Sequence, residues 1–361
     1  MVAAPLLTDA GAADQTWSVG PVPGNGDAIA ALSCFTATHC VGVSAFSREV
    51  IVSDNAGLTW QVYQPEEVGR YGFTSLDCVA NGTCFAIATL GAAPSVGAAI
   101  YRSTNGGRSW IRVYRRRTPG NANFRFNDVS CLSATYCLVS GTTGTTGFIL
   151  VTNTAGRFFT PATLPPQPVG GSIAGLDCVD ESSCFAVQNT TARVYASSDT
   201  GRLWRALPVP ANFTSYERNS VTPTGLSAIS CGSPLFCVAG GYIGHLNMTG
   251  TTQPFKWVTR DGGKSWSYTN PFASTGARTP NAVGQNAVSC TTREACTMGL
   301  SYGDVYSTSD GGLSWSWELG APQTDNDVLS VACPRVTKCL VSAISNFPKA
   351  HVFAGMLWRE P

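Results

Sequence analysis

The chain has 361 residues, of which 43% are apolar and only 12% are charged, and its formal net charge is +1. The small charge argues against a nucleic-acid-binding protein, which needs a basic surface to neutralise phosphates, and the apolar content argues against a disordered chain. No segment approaches the ~20 consecutive apolar residues that a membrane-spanning helix needs.

Seven cysteine pairs divide the chain into repeats. The two cysteines of each pair are separated by five residues, and the first members follow one another at intervals of 44, 53, 47, 53, 59 and 43 residues. An interval of this size is typical of one four-stranded propeller blade. In chain order the pairs are Cys34/Cys40, Cys78/Cys84, Cys131/Cys137, Cys178/Cys184, Cys231/Cys237, Cys290/Cys296 and Cys333/Cys339.

The residues around each pair predict a strand, a tight turn and a second strand. An aliphatic residue always stands two positions before the first cysteine, and a short run of apolar or small residues follows the second. The residue directly before the first cysteine is small or short: Ser33, Asp77, Ser130, Asp177, Ser230, Ser289 and Ala332. We expect the seven units to begin near residues 28, 72, 125, 172, 225, 284 and 327.

An eight-residue motif follows six of the seven pairs. Its copies are "SDNAGLTW" (53–60), "STNGGRSW" (103–110), the divergent "TNTAGRFF" (152–159), "SSDTGRLW" (197–204), "TRDGGKSW" (259–266) and "TSDGGLSW" (308–315). No copy follows Cys339, but Thr16 and Trp17 resemble the end of the motif. We therefore predict that residues 16–20 add the outer strand of the last blade, which removes an open sheet edge. The predicted fold is all-β: a single seven-bladed β-propeller over residues 1–361.

The octamer resembles the Asp-box, or BNR, repeat, and the resemblance covers nearly the whole chain. This repeat occurs in sialidase-like hydrolases, xyloglucan-active glycosidases, sortilin-type receptors and a photosystem II assembly factor family. The resemblance implies a propeller but no single activity, because function is carried by sites and not by folds. Sialidases of this kind use three arginines and a Phe-Arg-Ile-Pro string near the start; the chain has no such string, and "FRFND" at 124–128 is not one.

Both repeated motifs favour a structural role over a metal site. The Asp or Asn of the octamer can bond to its own turn, and its glycine can adopt positive φ, whereas a calcium loop needs several carboxylates. Five intervening residues place two cysteines within disulfide reach across adjacent strands, whereas zinc needs four ligands. We expect seven disulfides within blades, no metal or other cofactor, and a secreted, extracellular or periplasmic location.

Function is expected on the face opposite the two motifs. The cysteine turn and the octamer turn lie on the same face of an up-and-down blade, and varied loops on a rigid scaffold usually carry function. The widest intervals bracket the fifth unit. We predict a site at the channel mouth near the last three blades, with catalytic candidates Asp327, Asp128, Glu217 and His245. The substrate-binding candidates are Asp27, Arg70, Tyr71, Arg125, Arg218, Tyr242, Arg278 and Tyr302.

These residue types support two functional hypotheses. A carboxylate pair could serve as acid and base of a glycoside hydrolase, and a histidine or tyrosine beside an arginine could serve a polysaccharide lyase. The first hypothesis is a secreted, monomeric, carbohydrate-active enzyme that acts on an oligo- or polysaccharide. The alternative is a non-catalytic propeller that binds a glycan or a protein, as a lectin or an assembly scaffold.

Overall fold

A computed structural model describes residues 17–66, 72–90, 97–117, 124–168, 170–190, 192–213, 224–244, 252–269, 287–300, 303–319, 326–335, 338–345 and 354–359. These residues form 28 β-strands, arranged in four-stranded antiparallel sheets around a common axis. The fold is an all-β propeller, as the repeated strand-turn-strand patterns predict.

Six blades are each built from four strands that are consecutive in the chain. Blade 1 contains β2 to β5 (Ile29–Cys34, Cys40–Ser44, Val50–Ser53, Gln61–Tyr63), and blade 2 contains β6 to β9 (Phe73–Cys78, Cys84–Leu90, Gly97–Ser103, Ile111–Arg117). Blade 3 contains β10 to β13 (Phe124–Cys131, Cys137–Thr143, Thr146–Thr152, Thr160–Pro161), and blade 4 contains β14 to β17 (Ile173–Asp180, Ser183–Gln188, Arg193–Ser197, Arg205–Ala206). Blade 5 contains β18 to β21 (Thr224–Ser233, Phe236–Gly244, Thr252–Thr259, Ser267–Thr269), and blade 6 contains β22 to β25 (Ala287–Cys290, Cys296–Gly299, Val305–Thr308, Ser316–Leu319).

The remaining sheet is a composite of both ends of the chain. Its strands are β26 (Asn326–Arg335), β27 (Lys338–Ser345), β28 (Ala354–Arg359) and, on the outside, β1 (Trp17–Pro21). Strand β1 runs antiparallel to β28, from Trp17 opposite Arg359 to Pro21 opposite Gly355. The two ends of the chain are therefore held together by backbone hydrogen bonds.

The predicted count of seven blades has to be corrected on this basis. Only six complete blades are continuous in sequence, and the seventh disulfide-bearing sheet is assembled from two distant segments. The physical reason is ring closure: without β1, the strand β28 would present an unpaired edge. The count of seven applies to sheets, and the count of continuous four-stranded blades is six.

Adjacent sheets bury apolar side chains between them all the way round the ring. Phe73, Tyr101 and Trp110 of blade 2 pack with the valines of blade 1. At the closure, Ile29 and Leu32 of blade 1 share a cluster with Leu340 of the composite sheet. Burial of such side chains is worth roughly 1.5–3 kcal/mol each. The core of the molecule is thus divided into layers between sheets.

Seven disulfides join the innermost strand of each sheet to the second strand, as predicted. Each links cysteines six positions apart whose Cα atoms are 4.0 Å apart. No free cysteine occurs among the described residues. The disulfides indicate an oxidising compartment. The bonded pairs are Cys34–Cys40, Cys78–Cys84, Cys131–Cys137, Cys178–Cys184, Cys231–Cys237, Cys290–Cys296 and Cys333–Cys339.

The second cysteine of each pair is buried, whereas the first cysteine is half-buried in four of the seven pairs. Cys184 and Cys237 are both 0% exposed. Cys184 packs in the apolar layer that contains Leu138 and Leu176, and Cys237 packs in the layer of Phe185. The second cysteines are therefore part of the apolar core of the scaffold. The same burial is found at Cys40, Cys84, Cys137, Cys296 and Cys339.

The octamer forms one repeated hairpin turn. The N–H of its fifth residue donates to the hydroxyl of the first, at 2.7–3.1 Å, in all six copies. The N–H of its seventh residue donates to the side chain of the third, at 2.8–3.0 Å. The fifth residue is always glycine with positive φ; at Gly201, where φ is 73°, an added Cβ would also lie 2.2 Å from Leu138 of the preceding blade. The octamer is therefore a structural turn.

The octamer turn and the cysteine turn of each blade are bonded to each other. The N–H of the fourth octamer residue donates to a carbonyl of the cysteine loop, at 2.7–3.0 Å, in all six blades. Examples are Ala56 to Thr38 and Gly262 to Leu235. The two repeated motifs therefore share one face, which we call the box face.

Candidate functional site

The residue before the first cysteine links each innermost strand to the next one. In six sheets its side-chain oxygen accepts a hydrogen bond from the N–H of the first cysteine of the following sheet, at 2.6–3.2 Å. The acceptors are Ser33, Asp77, Ser130, Asp177, Ser230 and Ser289. The seventh equivalent is Ala332, which has no side-chain acceptor. There, Ser330 accepts from the N–H of Leu32 at 3.0 Å.

A β-bulge gives the innermost strands a second position for such links. In blade 3 the register shifts between Phe126 and Asp128, and a bulge of this kind re-aims the side chain that follows it. Asp128 then accepts from the N–H of Leu176 in blade 4 at 2.8 Å. Its other carboxyl oxygen accepts from the hydroxyl of Ser75 in blade 2 at 2.7 Å. Asp128 thus connects three consecutive blades.

Asp77, Asp128 and Asp177 form a row of carboxyls on the innermost strands of blades 2, 3 and 4, and we call them the carboxyl row. All three side chains are half-buried. Burial raises the pKa of Asp77 and of Asp177 to about 7, against the opposing effect of hydrogen bonds from main-chain N–H groups. Burial likewise raises the pKa of Asp128 to about 6. Mutual repulsion adds to the rise at Asp77 and Asp177.

Charge is not required for the inter-blade bond itself. Ser33, Ser130, Ser230 and Ser289 make the same bond with a neutral hydroxyl. Both carboxyl oxygens of Asp77 are engaged: Oδ1 with Ser33 and its neighbour Cys78, and Oδ2 with Cys131. The carboxyl row is therefore integrated into the scaffold and carries a cost of burial that the serines avoid.

Five of the predicted site residues lie in the part of the chain that the structure describes. Asp128 belongs to the carboxyl row. Asp327 is half-buried in β26 opposite Ile344, and Arg125 is exposed in β10 opposite Thr142. Asp27 precedes β2 and is half-buried, and Tyr242 is half-buried in β19, where burial raises the pKa of its hydroxyl. These residues come from four different sheets.

The other predicted site residues lie outside the described residues. They are Glu217, His245, Arg70, Tyr71, Arg218, Arg278 and Tyr302. Their roles remain sequence-based predictions. In the described parts of the chain no group of three or more His, Cys, Asp or Glu side chains is arranged to hold a metal ion, and no helix there is long and apolar enough to cross a membrane.

The sequence pattern contained the signal for two residues that it did not identify. Asp77 and Asp177 occupy the small-residue position before a cysteine, and they alternate there with serine. Serine, aspartate and asparagine are the residues that bond readily to main-chain groups. The signal was that serine and aspartate at this position can both accept a hydrogen bond. The donor could not be predicted, because it is the N–H of a cysteine 54 residues further along the chain in both cases.

Comparison with solved structures places the fold among propellers. YCF48 bound to D1 peptide is 13% identical, with a TM-score of 0.64 over 96% of this chain and 97% of that chain. Virginiamycin B lyase from Staphylococcus aureus is 9% identical, with a TM-score of 0.63 over 96% of this chain and 100% of that chain. The GH93 α-L-arabinofuranosidase of Fusarium graminearum with arabinobiose is 12% identical, with a TM-score of 0.50 over 78% and 91%.

At these identities the likeness shows the fold alone. The three neighbours include a peptide-bound protein, a lyase and a glycosidase, so fold does not select a function. No family model matches the chain, and no curated protein matches it.

Proposed function

We propose that this protein is a secreted, non-catalytic binding propeller that holds a segment of a partner polypeptide at the channel mouth, opposite the box face. The observation that carries this proposal is the engagement of the carboxyl row. A general acid or base must reach the proton that it transfers. Both oxygens of Asp77 and of Asp128 instead bond to protein donors of their own and neighbouring blades.

The described residues among those predicted for the channel mouth suit a ligand of varied chemistry. Asp27, Arg125, Tyr242 and Asp327 differ in charge and shape and come from four sheets. A lectin that repeats one sugar pocket per blade would need the same residues in several blades. A polypeptide presents carbonyl, amide, charged and apolar groups in succession, which suits unlike neighbours. YCF48, which matches nearly the full length of this chain, has a peptide bound.

A carbohydrate-active hydrolase or lyase is the second candidate. The observation in its favour is the pKa of Asp128, which burial raises to about 6. A carboxyl that titrates close to neutral pH is suited to acid-base catalysis. Under this alternative, Asp128 would exchange its bond with Ser75 for one with the substrate.

Binding and turnover arrays separate the two candidates. The full chain is tested on a library of immobilised peptides and on a panel of polysaccharides, with product detection by mass and by ultraviolet absorbance. We expect saturable peptide binding that Arg125→Ala or Asp327→Ala weakens about tenfold, since one lost charged contact is worth roughly 1.4 kcal/mol. Asp54→Ala, on the box face, is the matched control and leaves binding unchanged.

Two outcomes would contradict the proposal of polypeptide binding. Turnover of a glycan by the wild-type chain, lost in Asp128→Asn, would replace the binding proposal with the enzymatic one. Glycan binding without turnover, in the absence of any peptide ligand, would also contradict the polypeptide proposal.

A further inference from the structure

We propose that the carboxyl row is a proton-dependent clasp that holds blades 2, 3, 4 and 5 together more firmly as the pH falls. The inference concerns the stiffness of the ring and is independent of the ligand at the channel mouth.

The geometry gives the row control of three successive interfaces. Asp77 in blade 2 accepts from the N–H of Cys131 in blade 3 at 2.7 Å. Asp128 in blade 3 accepts from the N–H of Leu176 in blade 4 at 2.8 Å. Asp177 in blade 4 accepts from the N–H of Cys231 in blade 5 at 2.6 Å. Any change in the charge of the row therefore acts directly on bonds between blades.

The described strands around the row provide little positive charge to offset it. Arg125 lies three residues before Asp128 and is exposed, and Asp180 lies three residues after Asp177 at the turn. Arg102 is on β8 of blade 2, which packs against β10. The other described strands that pack against the row, β2, β3, β7, β11, β12, β15 and β18, contain no charged residue. The charges that act on Asp77 are those of Asp177 and Asp128.

The sign of the pH effect follows from linkage. The folded-state pKa of Asp77 is about 7, above the ordinary value of 3.8, so the folded chain retains a proton that the unfolded chain has lost. The contribution of such a group to stability is complete below the unfolded pKa and is lost as the pH rises through the folded pKa. The clasp therefore weakens between about pH 4 and pH 7 and stays weak above it.

The repeat itself provides the test variant. Serine occupies the position of Asp77 and Asp177 in four other sheets and makes the same bond there. The double variant Asp77→Ser/Asp177→Ser should thus keep the links to Cys131 and Cys231, lose the titration at those two links, and leave Asp128 as the one carboxyl of the row that still titrates. Hydrogen exchange of the amides of Cys131 and Cys231 is measured at pH 5 and pH 8 on the full chain and corrected for the intrinsic pH dependence of exchange.

In the wild-type chain we expect these amides to lose about tenfold or more in protection between pH 5 and pH 8, since one pKa unit corresponds to a factor of ten. The melting temperature should fall over the same interval by more than in the double variant. The reciprocal change, Ser130→Asp, adds a carboxyl between Asp77 and Asp177 and should enlarge the loss. Asp180→Ser, in the same strand as Asp177, is the matched control and leaves the response unchanged.

An equal pH response in the wild type and the double variant would overturn the proposal. So would wild-type protection that increases with pH, which would mean that the main-chain donors stabilise the ionised row more than burial destabilises it. If the double variant does not fold, the response of Ser130→Asp decides the question in the same way.

Discussion

At the residue scale, the third position of the octamer shows what a carboxylate does in an exposed turn. Asp310 accepts from the N–H groups of Leu313 and Ser314, at 2.9 and 3.0 Å, and from the hydroxyl of Thr308 at 2.8 Å. The hydroxyl and N–H of Ser314 hold the pKa of Asp310 well below its usual range. This carboxylate stays charged to a lower pH than the carboxyl row does, because it is exposed to water whereas burial raises the pKa values of the row.

Substitution of Asp310 should separate hydrogen bonding from charge. Asn55 and Asn105 make the same turn bond with an amide oxygen, so Asp310→Asn should keep the bond, lose only the advantage of the charge and cost less at pH 7 than Asp310→Ala. Asp310→Ala removes the acceptor and should lower the free energy of unfolding by about 1 kcal/mol. Because the pKa is depressed in the fold, the advantage of the carboxylate is present above the ordinary pKa and is lost as the pH falls. Urea unfolding at pH 7 and pH 3 checks both expectations; equal stability of the Ala and Asn variants at pH 7 would contradict them.

At the element scale, each disulfide staples one hairpin and nothing else. Cys131 and Cys137 close a loop within blade 3, whose first two strands already pair from Phe124 to Cys131 with one bulge after Phe126. A loop this short contributes about 2 kcal/mol on the chain-entropy model. Each of the seven disulfides therefore stabilises its own sheet independently of the others, while the apolar layers between sheets stabilise the ring.

Removing one disulfide should be tolerated. Cys131→Ala/Cys137→Ala should lower the free energy of unfolding by about 2 kcal/mol without loss of the β-sheet circular dichroism spectrum. Two such pairs removed from non-adjacent blades should give additive losses, since distant sites are independent. Thermal unfolding of the single and double removals measures this. Loss of the folded state on removal of one pair would show that the disulfides are required to stabilise the ring of sheets.

Sequence patterns predicted the elements well and the links between elements poorly. The strands that flank Cys78 and Cys84, the octamer turns, and the pairing of β1 with β28 all follow from local periodicity and the need to close an edge. The bond from Asp77 to Cys131 does not, because it depends on the stagger between two sheets. Asp128 was predicted as a catalytic candidate and the structure places it in a three-blade network, which no local pattern reveals.

At the scale of the whole molecule, closure of the ring depends on a strand from the other end of the chain. Strand β1 covers the edge of β28 along five residue pairs, from Trp17 opposite Arg359 to Pro21 opposite Gly355. Further inward, Ser342 of β27 donates to the carbonyl of Ile29 in blade 1 at 2.9 Å, and Ser330 bonds to Leu32. These contacts join the first blade to the composite sheet independently of β1.

Deletion of residues 1–21 should therefore weaken the ring without opening its inner layer. We expect a loss of roughly 2 kcal/mol or more in stability, or about 3 °C or more in melting temperature for a chain of this size. The exposed edge of β28 should also pair with a second copy, which gives a concentration-dependent dimer in size-exclusion chromatography. A circular permutant that joins residue 361 to residue 1 and opens the chain at the exposed turn at Gly144 keeps β1 in covalent continuity with β28 and should remain stable and monomeric. An equally stable, monomeric deletion variant would show that the inner contacts alone close the ring.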